Sequence, residues 1–549
     1  MRSRLSRQAW VVLAALVVVA AVPPLVTVAA RSAVHARRAQ LLLSDVRVGN
    51  GGRPFAGDDA RFATISPNGD GVRDAAVVHF SLAEPGRVTL GVFASREGVG
   101  PARLLAQPSS TLGTGQHELL WRPRRTIAPR TYMLRLAARD RSGARATIGS
   151  LMPGDPSSHV VRVLGIDAGF TRPSYAPGAK ARLVVSADEP SLTIQLFRAG
   201  PERTPSVGEY GGDRLWGVPV EPSRTFAWAR SRNHPVELRL RIPYADSGLY
   251  FERLTANDGE VGFAPFVLLP STWGTHRAAV VFPSNTWQAY NHRDLDGDGW
   301  GDTWYAVRSV THVDLTRPYL HRGVPTRFSG YELEFLRWLY QTDKHVDFLT
   351  DHELEGLSGD HLRRLYRLVV FLGHHEYMTS HAYDTVVRYR NLGGRLMFTS
   401  ATNFLYRVEL RGRWMVGRKA WRSLGRPEAA LIGVQYLDND FGRHQGRYGV
   451  VGAKTAPWAF AGTGMTNASH FGHGGIEIDA RGPASPAGTI LLATMKNLHG
   501  PGRSAEMTYY STRAGARVFA SGTLNFAGTA LEPRVSALLE NVWAHLMQR

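Results

Sequence analysis

The sequence predicts two β-sandwiches followed by an α/β layered domain. Three observations carry that prediction. The first half alternates apolar and polar residues with period two; from about residue 276 strands alternate with helices; and the strands there are fully apolar, as burial on both faces requires. The chain has 549 residues, enough for about three or four domains of ordinary size. Its 43% hydrophobic content excludes a disordered or fibrous chain.

The first element is N-terminal. Arg2, Arg4 and Arg7 form a basic start, and Ala9 to Ala30 runs 22 residues without a charge, interrupted by Pro23-Pro24. Such a segment is a secretory signal or a single membrane anchor. Val28-Ala29-Ala30 and Val34-His35-Ala36 offer small-residue cleavage sites, yet the run exceeds a usual signal core, so both readings stand. The expectation is a signal or anchor over 1–40 and an extracytoplasmic body, either membrane-anchored or secreted. The absence of Cys is compatible with export; it also excludes disulfides, thiolate metal sites and thiol nucleophiles.

Basic residues outnumber acidic ones 65 to 46, for a net charge of +19. Nucleic acid is nevertheless not the expected partner. Only Lys180, Lys344, Lys419, Lys454 and Lys496 are lysines; the arginines are spread along the chain, and no nucleic-acid-binding motif accompanies them. A basic surface suits an acidic cell envelope.

Residues 41–157 read as an immunoglobulin-like sandwich. Arg87-Val88-Thr89-Leu90-Gly91-Val92 alternates with period two, and turn residues recur at short intervals. Asn68, Asp70 and Asp74 could hold a cation or close a side-chain-bonded turn. Residues 158–272 read as a second sandwich, with strands at Ala181–Ser186, Leu192–Phe197, Ser247–Phe251 and Phe266–Pro270.

The α/β pattern occupies 273–549. Ala278–Phe282, Val346–Leu349, Arg367–Leu372 and Arg395–Thr399 are expected as strands. Ser329-Gly330-Tyr331-Glu332 reads as a capping box opening a helix to about Tyr340. A helix from about Ser380 to Leu392 stops at Gly393-Gly394. Further strands are expected near Thr489–Ala493 and Arg517–Ser521, with a terminal helix from about Pro533. His470 and His473 fall in a Gly-rich stretch read as a loop.

In such a sheet ligands bind beyond the carboxyl ends of the strands. The spacing brings Tyr290, His374, Glu376 and Asn403 to that rim. No Gly-x-Ser-x-Gly elbow, Walker loop or dinucleotide fingerprint is present. His375-Glu376 lacks the second His of a zincin helix; taken alone, Glu376 reads as a solvated helix-start acid and His374 as a loop histidine.

Two resemblances extend this reading. The stretches Ile65–Asp74, Gly115–Trp121 and Thr131–Leu136 resemble the immunoglobulin-like domains related to the flagellar hook-capping protein. From about 247 onward the chain resembles the C-terminal region of the N,N-dimethylformamidase large (beta) subunit. The matching blocks are Ser247–Tyr250, Trp287–Asn291, Arg317–Tyr319, Val346–Asp351, Gly373–Tyr377, Gly393–Met397, Glu477–Asp479 and Ser521–Thr523. That resemblance implies a glutamine-amidotransferase-like α/β domain and a mononuclear iron held by two Tyr and one Glu. Here they would be Tyr290, Tyr319 and Glu376, hard oxygen donors that suit a ferric ion. His374 would orient the site or move protons, and Asn403 and Glu477 would position substrate or water.

Between the two tyrosines the chain departs from the family. Asp294, Asp296, Asp298 and Asp302, with Gly297 at position 6, match a calcium loop, but position 12 is Tyr305 rather than Glu. The function expected is hydrolysis of a C–N amide bond in a small amide by an exported, iron-dependent enzyme. The alternative is a non-catalytic cell-envelope binding protein that uses the same scaffold with structural calcium. A small partner subunit and homo-oligomerisation stay open.

Overall fold

A computed structural model describes residues 42–95, 100, 102–202, 215–305, 310–320 and 322–548. The expected signal or anchor over 1–40 lies outside them. The expectation of a single N-terminal membrane segment is corrected, because no helix among the described residues is long and apolar enough to cross a membrane. The longest of them, Pro533–Met547, has 15 residues; at about 1.5 Å per residue it falls short of a hydrocarbon core of about 30 Å.

The molecule is rich in β-sheet, with several packed sheets and few helices. In the first sandwich Leu43–Gly49, Ala76–Leu82 and Gly115–Trp121 form one sheet. It faces a larger sheet built around Thr131–Asp140 and Gly86–Ser95. The period-two pattern has its physical outcome there: Val88, Leu90 and Val92 are buried in the core with Trp121 and Tyr132, while Arg87 faces solvent.

The Asn68–Asp74 stretch closes as a side-chain-bonded turn. The Asp74 carboxylate accepts from the N–H groups of Gly69 and Gly71 at 2.9 and 2.8 Å, and Asp70 accepts from Val72 N at 2.8 Å. Both glycines sit at positive φ, +85° and +84°, where a Cβ would strain the turn. Arg73 leaves this turn and grips Asp188 of the second sandwich through two bonds of 2.7 Å.

The second sandwich pairs a sheet of Asp167–Phe170, Lys180–Ser186 and Val236–Arg241 with one centred on Gly248–Ala256 and Ser191–Arg198. Its Leu249, Phe251 and Phe263 join a core continuous with the third segment.

That segment is organised by a nine-stranded sheet. Its first five strands in spatial order, Asp347–Thr350, Ala278–Phe282, Leu368–Phe371, Arg395–Phe398 and Arg517–Ala520, are parallel. Successive side chains point to opposite faces and both faces are covered. Val280, Phe282, Val370 and Met397 enter one core with the helices Glu334–Gln341 and Pro533–Met547. Val281, Phe371 and Phe398 enter another with the helix Ser380–Asn391. A parallel strand buried twice over has no use for a polar alternation.

The other half of the sheet is antiparallel: Ala505–Ser511, Ile490–Met495, Gln445–Val450 and His470–Gly475. His470 and His473 therefore lie on a strand rather than in a loop. The Ser329 capping box is also corrected. Ser329–Leu333 is a π-helical turn without a side-chain cap, and Glu332 turns inward to accept from Trp287 Nε1 at 3.3 Å. The capping box that forms is Thr350 with Glu353, opening Asp351–Leu354.

Candidate active site

The site lies beyond the carboxyl ends of the parallel strands. After Ala278–Phe282 comes the short helix Ser284–Ala289, which Tyr290 terminates. After Leu368–Phe371 the chain turns at Gly373, φ +79°, and presents His374, His375 and Glu376. Glu477 begins a strand of a separate two-stranded sheet, directly across from Asn439.

The Tyr290 hydroxyl donates to Glu376 Oε2 at 2.5 Å. His374 Nε2 stands 3.7 Å from Glu376 Oε2 and 3.7 Å from Glu477 Oε2. Its ring packs edge-on against Tyr290, with centroids 5.4 Å apart. Asn439 Nδ2 donates to Glu477 Oε1 at 2.8 Å. His374, Glu376 and Glu477 are buried and Tyr290 is half-buried beside them, and neither ring nitrogen of His374 has a hydrogen-bond partner among the described residues.

Burial dominates the electrostatics. It raises Glu376, and the neighbouring Glu477 raises it further, against hydrogen bonds from Tyr290 and Tyr377. Burial raises Glu477 too, opposed by Thr402 and Asn439. His374 is pushed down to about 3 by burial and by His375, so its imidazole is neutral at ordinary pH. Tyr290 is held protonated by burial and then by the two carboxylates. Two close carboxyl groups in one enclosed site favour retaining a proton between them.

The remaining expected residues lie elsewhere. Asn403 is buried beneath the rim: its Oδ1 accepts from His375 N at 3.1 Å and its Nδ2 donates to Ser400 O at 2.7 Å. Its contacts brace the loop that carries His375. Tyr319 is not brought to Glu376. It lines a different cleft with Gly169, Pro265 and Leu410, and its ring meets Trp287 edge-on at 6.5 Å. The cause is Arg317, whose guanidinium donates to Gln288 O at 2.6 Å and to Asp302 O at 2.7 Å, pinning the Pro318-Tyr319 turn there.

A further buried phenol was not singled out above. Tyr331 is enclosed, and burial raises it first; Arg327 opposes, and Glu477 and Tyr305 then raise it further. The signal was local: Tyr331 opens a helix beside the buried Glu332.

The acidic loop closes on itself. Asp294 accepts from Gly297 N at 2.7 Å and Gly299 N at 2.8 Å, and Asp302 accepts from Leu295 N at 2.7 Å. Ligand atoms of Asp294, Asp296 and Asp302 lie within 4.8 Å of one another. Asp298 is committed instead to Gly154 N of the first sandwich at 2.5 Å. Burial foremost, then hydrogen bonds and neighbouring acids, leaves Asp298 raised to about 6.

A phenol, two carboxylates and an imidazole thus gather beyond the strand ends of a β-rich, multi-sheet molecule. The chain belongs to the family described as N,N-dimethylformamidase beta subunit-like, C-terminal, whose model matches residues 221–536. No curated protein matches it. Among solved structures it is similar to E. coli alpha-2-macroglobulin, with 11% identity over 42% of this chain and 16% of that one at a TM-score of 0.21. It is also similar to red sea bream transglutaminase, with 10% identity over 44% of this chain and 33% of that one at a TM-score of 0.18. The chain thus spans a sixth to a third of those proteins, too distant a likeness to bear on fold or function.

Proposed function

We propose that the chain is an exported amidohydrolase that cleaves a C–N amide bond, its third segment being a glutamine-amidotransferase-like α/β domain. The observation that carries the reading is the contact of Tyr290 with Glu376, with His374 poised between Glu376 and Glu477. Family membership supports the reaction class.

The donor set fits a hard metal ion in part. Tyr290 and Glu376 are oxygen donors already in contact, beside an imidazole with no partner among the described residues. Tyr319, the second phenol that the family resemblance implies, lines another cleft. Tyr290 and Glu376 would be ligands of a mononuclear iron. When bound, that ion supplies Lewis-acid polarisation of the substrate carbonyl.

The remaining chemistry belongs to the side chains. Glu477, held by Asn439, accepts a proton from the attacking water, whose oxygen bonds to the acyl carbon. His374 passes that proton to the leaving nitrogen as the C–N bond breaks. The products are a carboxylic acid and an amine, and both carboxylates end as they began.

The test is amine release from a panel of simple amides, with Glu477→Gln as the comparison. Removing a general base costs typically about 100–10,000-fold in kcat. A variant as active as the parent would remove Glu477 from the mechanism, and no turnover of any amide would remove the reaction.

One observation favours the second reading as an addition. The clustering of Asp294, Asp296 and Asp302 supports a structural calcium that ties the loop to the first sandwich.

A further inference from the structure

The cleft above Glu376 has a volume of about 400 Å³ and an aromatic wall: Trp304, Tyr305, Tyr406, Tyr436 and Phe441. That volume falls within the range of about 300–1,000 Å³ typical of sites for drug-sized ligands. Phe441 is 69% exposed at its mouth, an apolar ring left facing the opening. A simple dialkylformamide leaves most of this wall uncovered.

Among the described residues one cation lines the same cleft. Arg418 lies on the strand Trp414–Ala420, where the pairing with Tyr406–Arg411 slips between Arg407 and Glu409. Gly417, at φ +65°, supplies the left-handed residue that such a bulge favours. A bulge re-aims the side chain beside it, and Arg418 lines the cleft. Its Nη1 donates to Trp304 O at 2.8 Å. The guanidinium lies 5.4 Å from the Trp304 ring centre and 5.8 Å from that of Tyr406. It also bonds the Tyr377 hydroxyl and is felt by Glu376.

Arg418 has no ion-pair partner among the described residues. Its neighbours do: Arg422 meets Glu428 at 2.5 Å and Arg407 meets Glu409 at 3.2 Å. An oriented guanidinium with unused N–H groups, set beside a reacting centre, is a carboxylate receptor in geometry and charge.

We propose that this cleft selects amides that carry a carboxylate and an aromatic body, of the N-acyl amino acid class, with Arg418 binding the carboxylate. The proposal deepens the amidohydrolase reading and rests on it for the identity of the scissile bond. In that arrangement the aromatic wall packs the body of the substrate and the acyl carbonyl is left to Tyr290, Glu376 and His374.

The test is binding, which needs no turnover. N-acetyl-L-phenylalanine and its neutral counterpart N-acetyl-L-phenylalaninamide are titrated calorimetrically into the full chain, Arg418→Met and Arg418→Lys. The parent binds the carboxylate about 10–100-fold more tightly than the amide, the range expected for charge-assisted hydrogen bonds. Arg418→Met, which keeps the stem over the rings, brings the two ligands within about twofold of each other, and Arg418→Lys retains part of the preference. Equal binding of both ligands by the parent, binding of neither at millimolar concentration, or an undiminished preference in Arg418→Met would overturn the proposal. Should Arg418→Met not fold, the parent and Arg418→Lys decide it: a preference that neither weakens with added salt nor falls in the lysine variant overturns it. Carboxylate-selective binding without hydrolysis leaves the receptor standing and removes the amidohydrolase reading instead.

Discussion

Asp188 is the point where the first two sandwiches are held together. It is fully buried and receives two bonds of 2.7 Å from Arg73, itself 4% exposed, and one of 2.6 Å from Arg232. Asn68 donates to its backbone carbonyl at 2.9 Å. Asp188→Ala strands the Arg73 guanidinium without its counter-charge. Breaking one partner of a buried pair costs about 3–5 kcal/mol. For a unit of about 150–250 residues each kcal/mol moves Tm by about 2–4 °C, so the first calorimetric transition should fall by about 6–20 °C. Replacing Arg73 and Asp188 together, Arg73→Met with Asp188→Leu, should recover most of that loss, because the buried Arg73 charge is gone and the remaining Arg232 keeps its pair with Asp70. A drop below about 3 °C in the single variant, or a double variant as unstable as the single, would refute the reasoning.

Two further predictions follow from burial and backbone geometry. Glu252, 4% exposed on the strand Gly248–Ala256, is raised from 4.5 to about 7 by burial, with Arg224 opposing and Glu221 adding. The folded chain therefore holds this proton to higher pH than the unfolded chain. Stability falls as pH rises from about 4.5 through about 7 and then levels, a loss of about 3 kcal/mol. Glu252→Gln should flatten that part of the profile in denaturant titrations at pH 5 and pH 8; an unchanged slope would contradict the assignment. Gly373→Ala should destabilise by about 2–5 kcal/mol, since a Cβ there meets Glu332 Oε1 at 2.3 Å while the backbone sits at φ +79°. A melting curve superimposable on the parent's would contradict it.

The parallel half of the large sheet was legible because its strands are short apolar runs. Leu368–Phe371 reads as nothing else, and the Ser380–Asn391 helix stops where Gly393 takes φ +81°. The antiparallel half was harder: Gln445–Val450 mixes Gln, Gly, Arg and Tyr without a period, and His470–Gly475 holds three glycines that hide a strand. Local sequence placed Tyr290, His374 and Glu376 at the rim because each follows its strand closely. Glu477 was named only from a short family motif, since its approach depends on a two-stranded sheet whose partner begins at Gln435. Tyr319 and Tyr331 are both phenols downstream of Tyr290, and no spacing separates them. The difference is three-dimensional: Arg317 and the backbone carbonyls it binds hold Tyr319 over a different cleft.

The central claim is a Tyr290–Glu376 pair, joined at 2.5 Å, that serves as part of an iron site. Elemental analysis of the purified full chain, beside Glu376→Gln and Tyr290→Phe, tests it most directly. The account predicts about one iron per chain in the parent, held by hard protein oxygen donors. It predicts iron lost from Glu376→Gln and lowered in Tyr290→Phe. A parent without iron, or iron that survives Glu376→Gln, would contradict it.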